Sequence, residues 1–266
     1  MSEVEKNADG LVAIITGGAS GIGRSTTERL ATFCDAITIV DINEDKIKET
    51  ETCVQQKNPS LQVLGMAADV RNEEQMEGMA EKTTEAFGRI DILVHSAGIL
   101  RMPGSGPRLL PDISFEECHM VIDVNLKGTF LSNRAVLKTM MKQGSGSIVN
   151  IASTSGIIGR PFDSVYCASK FGVVGLSESL AEEMARYGIK VFAVLPDAVD
   201  TPLWDQNGPV SSPDWSLQPD RIAGVVEYLL KIPADTMLEN IVVKPFKTRK
   251  RKRKKKPEAV AEAISA

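Results

Sequence analysis

The chain has 266 residues, 42% of them apolar and 25% charged, with a formal net charge of −4. That composition is ample for one large buried core and excludes collagen-like, low-complexity and disulfide-scaffold classes. The charge is unevenly spread. Nine of the 31 Lys and Arg lie in 247–266 against two of the 35 Asp and Glu, which leaves 22 basic and 33 acidic residues in 1–246, a net of −11. An acidic body argues against a nucleic-acid groove there.

The N-terminus "MSEVEKNADG" is polar and acidic, unlike a secretory signal, and no apolar run reaches the ~20 residues of a membrane helix. Cys34, Cys53, Cys118 and Cys167 show no C-x-x-C spacing, and with only two histidines no zinc pattern forms. The reading is a cytoplasmic protein with reduced thiols and no metal.

Along the chain, residues 11–16 predict a first strand and 22–33 a helix. Strands at 36–40 and 61–68 flank a helix at 44–57. A helix at 72–87, opened by Asn72 with Glu73 and Glu74 behind it, precedes a strand at 90–97. One long helix is expected over 114–142, opened by Ser114, followed by strands at 146–153 and 189–195 around a helix at 165–187. A helix at 219–230 and a strand at 240–244 complete the series. The strands are continuously apolar rather than alternating, as when both faces of a sheet are covered. Strand–helix alternation implies a parallel sheet with right-handed crossovers. The fold class is therefore α/β, a single Rossmann-like doubly wound sheet of about seven strands spanning 1–246. Residues 197–217 are too long and too rich in Pro, Gly, Ser and Asp for a simple connection and read as a lid or excursion. The basic stretch "KTRKRKRKKKP" in the tail 247–266 is expected to be disordered, with nucleic acid or acidic surfaces as candidate partners.

The first strand runs into "AIITGGASGIG", which places Gly17, Gly21 and Gly23 between strand and helix. A tight turn without side chains, ending at helix amides, suits a pyrophosphate. The second strand ends at Asp41, 18 residues after Gly23. A carboxylate there accepts from ribose hydroxyls and repels a 2′-phosphate, so NAD is favoured over NADP.

With T-G-G-A-S-G-I-G at 16–23, Ser153, and Y-C-A-S-K at 166–170 in that order, the sequence resembles the short-chain dehydrogenase/reductase family over about residues 10–245. The resemblance implies hydride transfer between NAD(H) and a secondary alcohol or ketone. It gives Tyr166 as general acid/base, Lys170 as its tuner and a contact to the nicotinamide ribose, and Ser153 as the group that holds the substrate oxygen. Asn125, in "DVN", holds a relay water. Cofactor contacts are implied for Gly17, Ser20, Gly21, Ile22 and Gly23, for Asp69 and Val70 at the adenine, for Ser96, Ala97 and Gly98, and for Val199 and Thr201 at the carboxamide. On a helix, residues four apart share a face, so Lys170 is expected to lower the Tyr166 pKa.

Two departures stand out. The family's N-N-A-G is here "HSAG" (95–98), and its Pro-Gly is Pro196-Asp197. An NADP-dependent 3-oxoacyl-type ketoreductase and an NAD(H)-binding sensor with weak catalysis are the alternative readings. For substrate recognition, Met102, Phe162, Trp204 and Trp215 offer apolar area, and Arg101 and Arg160 offer charge for a carboxylate. The family also implies homodimers or homotetramers through 114–142 and 165–187.

Overall fold

The computed structural model describes residues 10–208 and 211–246; the basic tail lies outside them. Seven strands form one parallel sheet in the order β3-β2-β1-β4-β5-β6-β7. They are β1 (Val12–Thr16), β2 (Ala36–Asp41), β3 (Gln62–Ala67), β4 (Ile92–His95), β5 (Gly146–Ile151), β6 (Ile189–Pro196) and β7 (Ile241–Val243). The helices are α1 (Gly21–Leu30), α2 (Glu44–Lys57), α3 (Glu73–Phe87), α4 (Phe115–Ile122), α5 (Gly128–Gln143), α6 (Ser164–Ala185) and α7 (Pro219–Leu230).

Continuous apolarity in the strands has a direct cause. Ala13, Ile15, Ile92, Val94, Val149 and Phe192 join one core cluster, with Leu30, Val54 and Ile222 from the helices on that face. Their neighbours Ile14, Leu93, Ile148 and Val191 join the opposite cluster, beneath Met76 and Met79 of α3, Val136 and Met140 of α5, and Met184 of α6. Successive side chains of a strand point to opposite faces, so a sheet covered on both sides needs apolar residues at every position.

Helix starts follow the sequence signals. Asn43, Asn72 and Ser114 each accept the amide three residues on, with acidic first turns behind them. The expected single helix over 114–142 is instead two helices joined by a π-helical turn at Asp123–Lys127. The extra residue in that turn widens the helix and redirects Asn125, which is fully buried.

Strand order reverses between β1 and β4, and the loops leaving their C-terminal ends part there. Such a switch point opens a crevice in every doubly wound sheet.

Candidate active site

At the switch point, β1 turns into the glycine loop. Gly17 has φ +63°, and a Cβ on it would stand 2.8 Å from the Ala97 amide nitrogen. A Cβ on Gly23 would fall 2.0 Å from the Gly17 carbonyl oxygen. These two positions allow the loop to lie flat against "HSAG" and let α1 begin directly beneath it.

The start of α1 differs from those of α2, α3 and α4. Ser20 takes the capping position with no side-chain bond to the helix, and no acidic residue stands in the first turn. The first amides are thus left for an anion supplied from outside. Asp41, at the end of β2, accepts from Ala19 N at 3.2 Å and Asn43 N at 3.1 Å. That fixes its carboxylate beside the loop.

A cleft of about 670 Å³ runs along this edge of the sheet. Among the expected cofactor contacts, Gly17, Ser20, Gly21, Ile22, Asp41, Asp69, Val70, Ser96, Ala97, Gly98, Val199 and Thr201 line it. Gly23 lies behind the loop as a packing position. Asp69 is gripped by Arg71, whose Nη2 and Nε donate to Oδ2 at 2.6 and 2.9 Å. The Arg71 guanidinium holds the Asp69 carboxyl below the usual carboxylate range. The uncapped helix start and the side-chain-free turn fit the pyrophosphate of a dinucleotide.

Ser153, Tyr166 and Lys170 line the same cleft. Ser153 leaves the end of β5 and accepts from Ser155 N at 3.1 Å. Tyr166 is in the first turn of α6, 8% exposed, and shares a side-chain hydrogen bond with Ser153. Lys170 lies one turn on, its Nζ 5.8 Å from the Tyr166 ring centre and donating to Ile151 O at 2.9 Å. Burial pushes the Lys170 ammonium down to about 8.

The expectation that Lys170 lowers the Tyr166 pKa is not met in the protein alone. Burial pushes the phenol up to about 12, ahead of the opposing hydrogen bond from Ser153. Charging a phenolate out of water costs more than these contacts return.

Asn125 does not line the cleft directly. Its Oδ1 accepts from Ile99 N at 2.8 Å, and its Nδ2 donates to Ile99 O at 2.8 Å and Ser169 Oγ at 3.0 Å. The amide therefore ties α6 to the chain just past "HSAG". Gly98 sits between them: a Cβ there would be 3.2 Å from Asn125 Oδ1 and 3.6 Å from Lys170 Nζ.

The two departures are absorbed by local contacts. His95 is 2% exposed, and its Nδ1 and Thr16 Oγ1 share a hydrogen bond of 2.9 Å. Thr16 Oγ1 also lies 3.5 Å from the Ala97 amide. Burial, aided by the Lys170 charge, pushes the imidazole down to about 3. It is a neutral brace, not a base. Asp197 faces the cleft, where Thr154 Oγ1 donates to it at 3.4 Å and Arg160 pairs with it at 3.7 Å.

Of the substrate-side residues, Trp204 and Trp215 line the cleft and Met102 and Phe162 do not. Arg160 lines it; Arg101 is buried and spent on protein partners, so it cannot meet a carboxylate. Sequence reasoning missed Thr16, Asp163, Gln206 and Asn207. Their roles come from partners some 60 to 106 positions away, which no local spacing announces.

The family model described as short chain dehydrogenase matches residues 11–210. The chain belongs to that family. This short-chain dehydrogenase is 42% identical to levodione reductase of Leifsonia aquatica over 194 residues, covering 72% of this chain and 70% of that one. A crystal structure of levodione reductase matches with a TM-score of 0.81 at 34% identity, over 88% of this chain and 95% of that chain. A short-chain dehydrogenase from Mycobacterium paratuberculosis bound to NAD matches at 0.78 and 29% identity, over 88% and 96%. An actinorhodin polyketide ketoreductase variant with NADPH matches at 0.79 and 31%, over 89% and 97%. The dehydrogenase is thus an oxidoreductase acting on CH–OH groups with a nicotinamide cofactor. Among its described residues, no helix is long and apolar enough to cross a membrane.

Proposed function

We propose that this dehydrogenase moves a hydride between NAD(H) and a secondary alcohol or ketone, with Tyr166 as the general acid/base. The observation that carries the reading is the convergence of Ser153, Tyr166 and Lys170 on the cleft that also holds the glycine loop and Asp41.

NAD is the favoured cofactor because the Asp41 carboxylate, fixed at the end of β2 by the Ala19 and Asn43 amides, would accept from ribose hydroxyls and repel a 2′-phosphate. Neighbouring cations are already committed: Arg71 to Asp69, and Arg24 to Glu28 and Glu49. The backbone of Gly17, Ser20, Gly21 and Ile22, backed by Gly23, would hold the pyrophosphate. Asp69 and Val70 would meet the adenine, Ser96, Ala97 and Gly98 the middle of the cofactor, and Val199 and Thr201 the carboxamide. When bound, the cofactor supplies the hydride-accepting or hydride-donating carbon, and its oxidised ring a positive charge.

In the oxidation direction, Tyr166 takes the alcohol proton and Ser153 hydrogen-bonds the same oxygen. Reduction reverses these roles. With Lys170 already beside it, a phenol at about 12 is a poor base at neutral pH, so in the oxidation direction the positive charge of the oxidised ring would have to bring it into range. Asn125 fixes the backbone that frames Lys170, and the relay water is assigned to its neighbourhood. The intact constellation favours catalysis over a sensor role.

All four cysteines are free, and we place the enzyme in the reducing cytoplasm. Phe115, Phe130 and Phe171 are exposed on α4, α5 and α6; these helices are the surface assigned to a homodimer or homotetramer. The basic tail is assigned no part in catalysis.

The test is a turnover screen of secondary alcohols, cyclic ketones and 3-oxoacyl thioesters with each of NAD(H) and NADP(H). NAD-linked turnover is expected. Preference for NADP(H) with 3-oxoacyl thioesters would move the assignment to that ketoreductase class. Tight cofactor binding without turnover of any compound would favour the sensor.

A further inference from the structure

The two arginines at the substrate end are in opposite states. The Arg160 side chain is 41% exposed, with a single ion-pair partner at 3.7 Å. Arg101 is 6% exposed, and each of its three guanidinium nitrogens has a protein acceptor. Its Nε donates to Asn207 Oδ1 at 3.0 Å, Nη1 to Phe162 O at 3.0 Å and Nη2 to Asp163 Oδ1 at 2.7 Å.

A buried cation is tolerated only when paired and hydrogen-bonded. Here those partners come from two segments remote from Arg101 in sequence. One is the helical turn Pro202–Asn207, whose Leu203, Trp204 and Gln206 line the cleft. The other is the approach to α6, where Asp163 takes the capping position three residues before Tyr166. Asp163 makes no side-chain bond to its own helix; its carboxylate is turned to Arg101 instead. Phe162, whose carbonyl Arg101 holds, has φ +68°, a left-handed conformation that a bulky residue adopts only when its surroundings impose it.

The main chain at Arg101 repeats the link. Gln206 Oε1 accepts from Leu100 N at 2.7 Å and from Arg101 N at 3.2 Å. The helical turn is therefore tied to the segment after β4 by backbone and to α6 by the guanidinium.

We propose that Arg101 is a positioning residue that couples the turn Pro202–Asn207 to the start of α6, and so fixes the gap in which substrate meets Tyr166. The proposal rests on Tyr166 being the acid/base, but its first readout needs no turnover. A lysine cannot substitute, because one ammonium does not span three acceptors held in a planar fork.

Trp204 and Trp215 are the only tryptophans in the chain. The variant Trp215→Phe therefore leaves Trp204, on the turn itself, as sole reporter. In that background, Arg101→Met and Arg101→Lys should each roughly double acrylamide quenching of Trp204, as the turn loses its anchor. Asn207→Ala should move it the same way by less. For a ketone that the parent reduces, Arg101→Met should raise KM about tenfold or more and lower kcat by a smaller factor. The dissociation constant for NAD, read by titration, should stay within about twofold, since no cofactor contact is touched.

Adding Asn207→Ala to Arg101→Met should bring no further loss, because both break one link. Additive losses would overturn the proposal. So would unchanged Trp204 quenching and KM in Arg101→Met, or a parallel loss of NAD affinity. If Arg101→Met does not fold, Asn207→Ala and Asp163→Asn carry the quenching test, and no change in either sinks it. A parent that binds NAD but reduces no ketone would count against the assigned reaction, and the quenching would still decide the coupling.

Discussion

At the proposed cofactor end of the cleft, Gly17, Gly21 and Gly23 lie within seven positions of one another, and backbone amides are the groups on offer. At the substrate end, the walls come from the segments after β4, after β5 and after β6, and buried side-chain contacts hold them together. The first end is local and almost free of side chains; the second is assembled from distant parts. A site built from backbone tolerates little variation, because a single methyl group fills the space the ligand or the helix needs. One built from side chains on loops can change its specificity without disturbing the sheet.

That contrast predicts where variants act. The largest effect should come from Tyr166→Phe, which removes the proton carrier and leaves the cofactor end intact. We expect kcat to fall about 10³-fold with NAD affinity unchanged; wild-type-like kcat would break the assignment. Next is Gly23→Ala. With its Cβ placed 2.0 Å from the Gly17 carbonyl, α1 and the loop must separate. The expected cost is about 3 kcal/mol in chemical denaturation, and NAD affinity should fall with it. A fully stable, NAD-binding Gly23→Ala would show the loop to be softer than its packing implies.

Asp41→Asn removes the charge and keeps a side-chain acceptor for only one of the Ala19 and Asn43 amides. It should narrow the preference for NAD over NADP by about tenfold, the effect of roughly one charged contact. An unchanged ratio of dissociation constants would mean that the discrimination lies elsewhere.

The effect that is smallest near neutral pH concerns His95, at the seam between the two ends. Its folded pKa, about 3, is depressed below the ordinary value of ~6.5. The neutral ring's full stability is present above ~6.5 and is lost as pH falls toward 3, because only the unfolded chain gains the proton. Stability should decline by at most about 1.4 kcal/mol per pH unit from this group. Replacing His95 with Asn should flatten the slope between roughly pH 6.5 and 5; identical slopes would assign the acid sensitivity to other groups.

How far the sequence reached depended on the range of the forces involved. The glycine spacing, the caps at Asn72 and Ser114, the seven apolar runs and the Tyr166–Lys170 pair are local, since a turn, a helix start and an i,i+4 face are decided within a few residues. The strand count and the cofactor end were legible for that reason. The helical run over 114–142 was legible as well, but the π-helical turn inside it was not, because apolar periodicity does not register one extra residue in a turn. Asn125 sits in that turn, and its amide binds the Ile99 backbone, 26 positions earlier.

Arg101 is the sharpest case. In the sequence it is an arginine on a loop, suited to meeting a substrate carboxylate. In the fold it is a buried tie among Phe162, Asp163 and Asn207. Tyr166 shows the same limit in its chemistry: the helix places Lys170 beside it, yet burial from the whole domain sets its proton affinity. The sequence alone determined the seven apolar runs of the parallel sheet and the glycine-rich turn after the first of them, because these follow from local geometry, and a family resemblance named the reacting groups we propose. Tertiary structure alone decided which charges are free to meet a substrate and how tightly the protons are held, because desolvation and long-range pairing exist only once distant segments have packed.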